Sequence, residues 1–454
     1  MKNKKFLIFL LYSPLLLNLL YNFFIEDKSY VLNDYEGILN TLVGLIFTLF
    51  FIQIGKIIKK LLRLHYSSTG IVIFLLSFYI VDKSLLIFLR NFSFKNTFIA
   101  TLMAWIFLFI IKNSASYKEI IYASLTYIFS FISLKIINTN IPLATENFLT
   151  SDEKYFWLPV SSDIFEGSLI TAITNNPIQS YGLLVGHMHA VLNNIFTYSE
   201  KFLYLPAYKN LFFFLTIYFI SECKSSKESK LVLVIVLSII SLTSDWFTYL
   251  FFNSLLAESI SSYFFGILVL EILKNKKNSF VLINLGFLYF SKQFISIFSI
   301  FIGFYVLYKN KDSLKKYLIL FSGILIDLIN SLLIKTPVTW EFYINSFDAD
   351  AATKDGVNFQ NIINIIIQFF IDKPMSYFLI ISIVMAGYVN YKKDIYEIES
   401  LYIVLLNTVF VFLLYVFVWT NVEYESSYRY LLNIFHIIIF YILITFDNFL
   451  SFKK

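Results

Sequence analysis

Residues 279–308 read SFVLINLGFLYFSKQFISIFSIFIGFYVLY. How this run divides decides the fold. Its single charge, Lys292, lies near the middle between Ser291 and Gln293. A helix that crosses a membrane needs about 20 mostly apolar residues, within a range of about 17–25. The run is too long for one such helix and short for two. The polar interruption suggests two short helices, and the charges on the rest of the chain support that division.

Other apolar segments lie at roughly 6–24, 38–55, 69–89, 97–112, 119–138, 208–221, 230–244, 254–272, 317–334, 375–391, 400–419 and 430–448. With the run split and the N-terminus cytoplasmic, alternation puts 23 of the 36 Lys and Arg residues on the inner side. They include Lys56, Lys59, Lys60 and Arg63, then Lys274, Lys276 and Lys277, then Lys309 to Lys316. The acids distribute the other way, 9 inside against 20 outside, with Asp327 inside a helix. This is the positive-inside bias. Reading 279–308 as one helix would invert every later segment and place Lys309–Lys316 outside. The expected fold is therefore an all-α polytopic membrane protein. It has about 14 transmembrane helices, both termini cytoplasmic and two larger outer loops carrying interfacial helices.

Composition points the same way. Of 454 residues, 58% are hydrophobic and 20% aromatic, with 53 Phe and 32 Tyr, and only 15% are charged. Charged residues make up about 25% of an ordinary soluble domain. Mean hydropathy is +0.73. A soluble enzyme, a disordered chain and a coiled coil are excluded. The +6 net charge follows from topology and gives no reason to expect nucleic acid. A lone cysteine, Cys223, in a Lys/Ser-rich connection excludes an internal disulfide and reads as an inert surface thiol. The start, MKNKK followed by an apolar run, resembles a signal peptide. No small-residue cleavage site follows Leu20, so it reads as a first transmembrane helix. The expected location is the bacterial inner membrane.

Five regions follow: an N-terminal five-helix segment (1–139), a first outer loop (140–207), central helices (208–334), a second outer loop (335–374) and C-terminal helices (375–454). The inner connections are all short, so chemistry is expected on the outer face. Semi-apolar stretches at 163–174, 183–196 and 359–371 read as helices lying at the membrane surface.

The first outer loop contains TSDEKYFWLP (150–159), then Asp163 and Glu166, then NPIQSYG (176–182). Asp245-Trp246-Phe247 comes later, and Glu258 near the start of an apolar helix. Near the C-terminus, EYESSYRYLL (423–432) precedes the last apolar segment. In this order the segments resemble GT-C-type glycosyltransferases, multi-span enzymes that take a sugar from a polyprenyl-phosphate carrier on the non-cytoplasmic face. The resemblance spans roughly 150–440. It implies that an Asp or Glu of the first loop, here Asp152 or Glu153, is the catalytic base or a metal ligand. In that family the acidic loop usually follows the first helix, whereas five precede it here. Either 1–139 is an addition, or Asp34 and Glu36 are the counterpart.

The chemistry can also be argued from the residues. Glycosyl transfer needs a base for the acceptor hydroxyl and a group to stabilise the departing phosphate. Asp152 or Glu153 supplies a carboxylate, either as the base or to hold Mg²⁺ or Mn²⁺. Asp163 and Glu166, three apart on one helix face, are the reserve pair. Arg429, followed by Tyr430, offers a bidentate fork to phosphate, and Lys292 a second cation. Glu258 and His187 complete the expected substrate-binding set. Each has a plainer alternative: a solvated acid pair for Asp152/Glu153, an interfacial anchor for Arg429, snorkelling for Lys292, a helix-dipole partner for Glu258. Asp327, with Asn330 one turn away, is either functional or hydrogen-bonded to a neighbouring helix. His187 and His189 do not share a helix face, which argues against zinc. His65 and His436 are assigned to packing.

The expected function is thus an integral membrane glycosyltransferase acting in the cell envelope, with a lipid-linked sugar donor, a glycan or lipid acceptor, membrane lipids as surroundings and no nucleic-acid partner. An O-antigen-type polysaccharide polymerase or ligase is the first rival. It would use outer-loop arginines, of which only Arg90 and Arg429 are available. A lipid-linked glycan flippase or transporter is the second, and it would concentrate polar residues within the membrane.

Overall fold

The computed structural model describes residues 35–86, 88, 93–112, 121, 125, 157–175, 183–196, 206–223, 226–243, 257–275, 278–291, 293–336, 338–339, 374–392, 407 and 435–452. Most of these are helical, with no strand among the described residues. The chain forms α1 (Tyr35–Leu62), α2 (Ser67–Leu85), α3 (Phe94–Lys112), α4 (Leu158–Glu166), α5 (Leu169–Asn175) and α6 (Leu184–Phe196). It continues through α7 (Pro206–Glu222), α8 (Lys227–Thr243), α9 (Ala257–Lys274), α10 (Ser279–Phe287, extended by a 3₁₀ turn Leu288–Phe290) and α11 (Gln293–Lys309). The last are α12 (Leu314–Leu320), α13 (Ser322–Ile334), α14 (Pro374–Lys392) and α15 (Phe435–Phe452).

Helices α1–α3 and α7–α15 fall on the expected apolar segments, and α4–α6 lie within 140–207. The segments 6–24, 119–138 and 400–419 and the stretch 359–371 lie outside the described residues, but for Ile121, Leu125 and Asn407. Run 279–308 divides at Ser291, as α10 and α11. By length and composition α2 is long and apolar enough to cross a membrane. The pair α12–α13 makes a second such span if, though bent by 63°, it counts as one. Several other apolar helices have 10–17 residues.

Helix α2 sits at the centre. It packs against α1, α3, α6, α7, α9 and α10. Its crossing with α1 is close because both surfaces are small. A Cβ on Gly70 would lie 2.3 Å from the Gly55 carbonyl oxygen, and one on Gly55 would lie 2.6 Å from that of Ser67. Small residues let apolar helices approach in this way.

The start of α2 is held by two acids from other helices. Glu271 of α9 accepts the N–H groups of His65 (2.7 Å) and Tyr66 (3.1 Å) and the Thr69 hydroxyl (2.9 Å). Glu222, the last residue of α7, accepts the N–H groups of Ser67 (2.5 Å) and Ser68 (2.9 Å) and the Ser68 hydroxyl. Helix N-termini leave N–H groups without intrahelical partners and carry partial positive charge. Two carboxylates from remote segments supply what a local capping residue usually does. Charge-assisted bonds of this kind contribute about 1.5–3 kcal/mol. Glu271→Gln should therefore lower stability by that order, visible as a lower melting temperature of the purified protein. Unchanged melting would show that the cap is dispensable.

Three features differ from the sequence reading. Segment 317–334 is not one straight helix but breaks at Phe321. There the Leu320 carbonyl oxygen comes within 2.1 Å of where a Cβ on Gly286 would stand, so α10 and the break fit together only through glycine. Stretch 163–174 breaks at Gly167-Ser168, where the Ser168 hydroxyl accepts the Thr171 N–H at 3.3 Å and starts α5. Stretch 183–196 is not a surface helix either. Leu183 to Leu192 of α6 are all buried, against α4, α2, α1 and α9.

Three helix ends also escaped the sequence reading. Arg63, Lys311 and Lys335 take left-handed φ values of 53°, 50° and 59° just past α1, α11 and α13. Glycine usually fills such positions. Here a basic residue does so, and its charge favours the negative end of the helix dipole.

Candidate functional site

The far end of α2 carries Asp82 and Lys83. Adjacent helical residues diverge by about 100° around the axis, so the two side chains reach different neighbours. Asp82 Oδ2 accepts from His187 Nε2 of α6 at 3.1 Å, and its Oδ1 from the Thr97 hydroxyl of α3 at 3.3 Å. Lys83 Nζ lies 3.2 Å from Asp327 Oδ1 of α13 and 4.7 Å from the ring centre of Phe290. Asp327 Oδ2 accepts the Thr339 N–H at 2.7 Å and the Tyr289 hydroxyl at 3.3 Å. Asn330, one turn further along α13, donates to the Lys83 carbonyl at 3.3 Å.

All four charged or titratable side chains are out of water: exposures are 4% for Lys83, 0% for Asp327, 0% for His187 and 3% for Asp82. The His187 ring stands edge-on to Tyr79 and Phe94, each 5.1 Å away between centres. Among the described residues its Nδ1 has no hydrogen-bond partner. When Nε2–H donates to Asp82, a neutral ring leaves Nδ1 as an acceptor. Burying charges costs several kcal/mol each unless they are paired. The pairing therefore explains how two acids and a lysine persist within apolar helices.

No family model, no curated protein and no solved structure matches the chain.

Of the expected site residues, Asp152, Glu153, Lys292, Arg429 and Tyr430 lie outside the described residues. Glu258 is the second residue of α9. Asp163 and Glu166 share the last turn of α4, Asp163 half-buried and Glu166 exposed. Helix α4 packs on α6, the helix that carries His187. His187 is buried and paired with Asp82. Asp327 is held by Lys83 as well as by hydrogen bonds. Among the described residues no group of three or more His, Cys, Asp and Glu could hold a metal ion. His65 contributes its backbone to the cap of α2, and His436 Nδ1 bonds the Ser262 hydroxyl between α15 and α9.

Asp82 and Lys83 were missed as site residues. Their signal was present: an Asp-Lys step inside one apolar segment and an Asp inside another. Opposite charges in separate apolar helices seek each other because neither tolerates isolation. Cys223 does not occupy the surface position expected of it. It is buried rather than on the surface, and burial together with the nearby Asp447 pushes its thiol well above the ordinary range, which keeps it inert.

Proposed function

We propose that the chain is a multi-span membrane protein of about 14 helices, with its two longer loops on the non-cytoplasmic side. There it transfers a sugar from a polyprenyl-phosphate donor to an envelope glycan or lipid acceptor. The observation that supports this reading most is how the polar contacts sort. Asp82, Lys83, Thr97, His187, Tyr289, Asp327 and Thr339 meet one another. The lysine distribution assigns each of them to the outer half of a span or to an outer loop. Residues 65–69, Glu222 and Glu271 also meet one another, and each falls at the inner side. An error of one span between these segments would have mixed the two groups. Exposed Phe107, Leu314, Leu332 and Val384, in a chain that buries Asp327 and His187, suit a lipid surrounding.

In this reading Asp152 or Glu153 takes the proton of the acceptor hydroxyl, with Asp163 and Glu166 in reserve. Arg429, aided by Lys292, holds the phosphate of the lipid. The acceptor oxygen bonds to the anomeric carbon as the bond from that carbon to the phosphate oxygen breaks, and polyprenyl phosphate departs with the electron pair. A divalent cation such as Mg²⁺ or Mn²⁺ would be held by Asp152 or Glu153 and would offset charge on the lipid phosphate. The resemblance of the segments spanning 150–440 supports the sugar donor.

One observation favours a second reading. Buried charge pairs such as Lys83–Asp327 are common along the pathways of transporters, which suits a carrier of lipid-linked glycans. Membranes containing the protein and a labelled polyprenyl-phosphate sugar separate the two. Glycosyl transfer is expected for the wild type, and a loss of about 10²–10⁴-fold in Asp152→Asn/Glu153→Gln, as for removal of a general base. Translocation of the lipid-linked sugar with no new glycosidic bond would replace the enzyme by the carrier.

A further inference from the structure

Helix α6 belongs to the segment between α3 and α7, and Thr339 to the segment after α13. We propose that these two segments are coupled through the Asp82-Lys83 step of α2, so that loosening either one loosens the other. This inference does not rest on sugar transfer or on sidedness.

The contacts form an unbroken line. The His187 ring meets the Tyr79 ring at 5.1 Å, and Tyr79 meets Phe290 at 5.4 Å. Phe290 lies beneath Lys83, 4.7 Å from its ammonium, and the ammonium pairs with Asp327 at 3.2 Å. Asp327 in turn holds the Thr339 N–H at 2.7 Å. A second route is covalent, since Asp82, which holds His187 at 3.1 Å, is the neighbour of Lys83. Close-packed interiors pass on displacement because no free space absorbs it. Charges within one buried cluster also feel one another strongly, because little solvent screens them. Removing Asp327 leaves Lys83 seeking the remaining carboxylate, Asp82, which is the group that docks α6. Conversely, losing His187 frees Asp82 to compete with Asp327 for Lys83. The two docked segments therefore share one set of charges.

The test uses buried single cysteines and N-ethylmaleimide, a small permeant thiol reagent. Ala190→Cys reports on α6 and Thr336→Cys on the segment after α13; both positions are buried, and both variants carry Cys223→Ser. The natural Cys223, buried at the other end of α2's surroundings, serves as the control in a separate protein. Asp327→Asn should raise the labelling rate at position 336 and also, by about tenfold, at position 190, within the usual span of coupling between sites. Cys223 should label as in wild type. His187→Gln should act reciprocally on position 336. An increase confined to the segment that was altered overturns the coupling. If Asp327→Asn raises all three sites equally, Tyr289→Phe decides, because it removes one hydroxyl donor to Asp327 and no charge. A smaller rise at position 190 with Cys223 steady supports the coupling, and no rise there rejects it.

Discussion

Gly286→Ala should yield little folded protein, although the substitution adds a single methyl group. The added Cβ would stand 2.1 Å from the Leu320 carbonyl oxygen and 3.1 Å from its carbonyl carbon. Both are backbone atoms at the Phe321 break, so no side-chain rotation relieves the clash. Gly323 faces the same crossing, where an added Cβ would stand 2.3 Å from the Gly286 carbonyl oxygen, and closes the route by which α13 could shift. Overpacking a well-fitted interior costs about 1–3 kcal/mol and occasionally more; the upper end is expected here, because backbone must move on both sides. Gly387 in α14 provides the comparison, since a Cβ there meets nothing within 4 Å. Gly387→Ala should be neutral or should gain up to about 1 kcal/mol from helix propensity. Size-exclusion profiles and thermal melts of the two variants, expressed side by side, make the measurement. Equal behaviour of Gly286→Ala and Gly387→Ala would mean that α10 and the break do not approach as closely as described.

Lys83→Met should be as damaging for an electrostatic reason. It leaves Asp327, wholly buried, with its Thr339 and Tyr289 donors but no countercharge. Breaking a buried pair from one side costs about 3–5 kcal/mol. Removing both partners is a different matter, because apolar replacements of similar size no longer incur the desolvation cost. Lys83→Met/Asp327→Leu should therefore recover most of the stability lost in the single variant, and the strong non-additivity is the signature of direct pairing. Melting temperatures of wild type, both single variants and the double variant complete the cycle. Additive losses would show that the two side chains act independently.

The sequence reading and the structure agree most where the cause is local. The bounds of α2, α7, α10, α11 and α14 follow the apolar segments within a few residues, because an apolar stretch ended by polar residues limits a helix whatever surrounds it. Division of 279–308 at Ser291-Lys292 is of the same kind. The i,i+3 placement of Asp163 and Glu166 on one helix needed nothing beyond helical periodicity. Agreement is weakest where a residue's role depends on its partner. Asp327 stood out as costly and polar, but Lys83 lies 244 positions away in the chain, and no spacing rule links them. Glu222 and Glu271 belong to α7 and α9, yet they cap α2 from more than 150 residues away in the chain.

By itself the amino-acid order determined the helical class, the apolar segments and the uneven distribution of lysines, all properties of composition and of neighbours a few residues apart. Tertiary structure alone decided the bend at Phe321, the burial of α6 and Cys223, and the choice of His187 for Asp82 and of Asp327 for Lys83. The physical reason is that a buried charge or a closely fitted glycine acquires its energy from whatever atom stands opposite. That atom comes from a distant part of the chain, and folding brings it there.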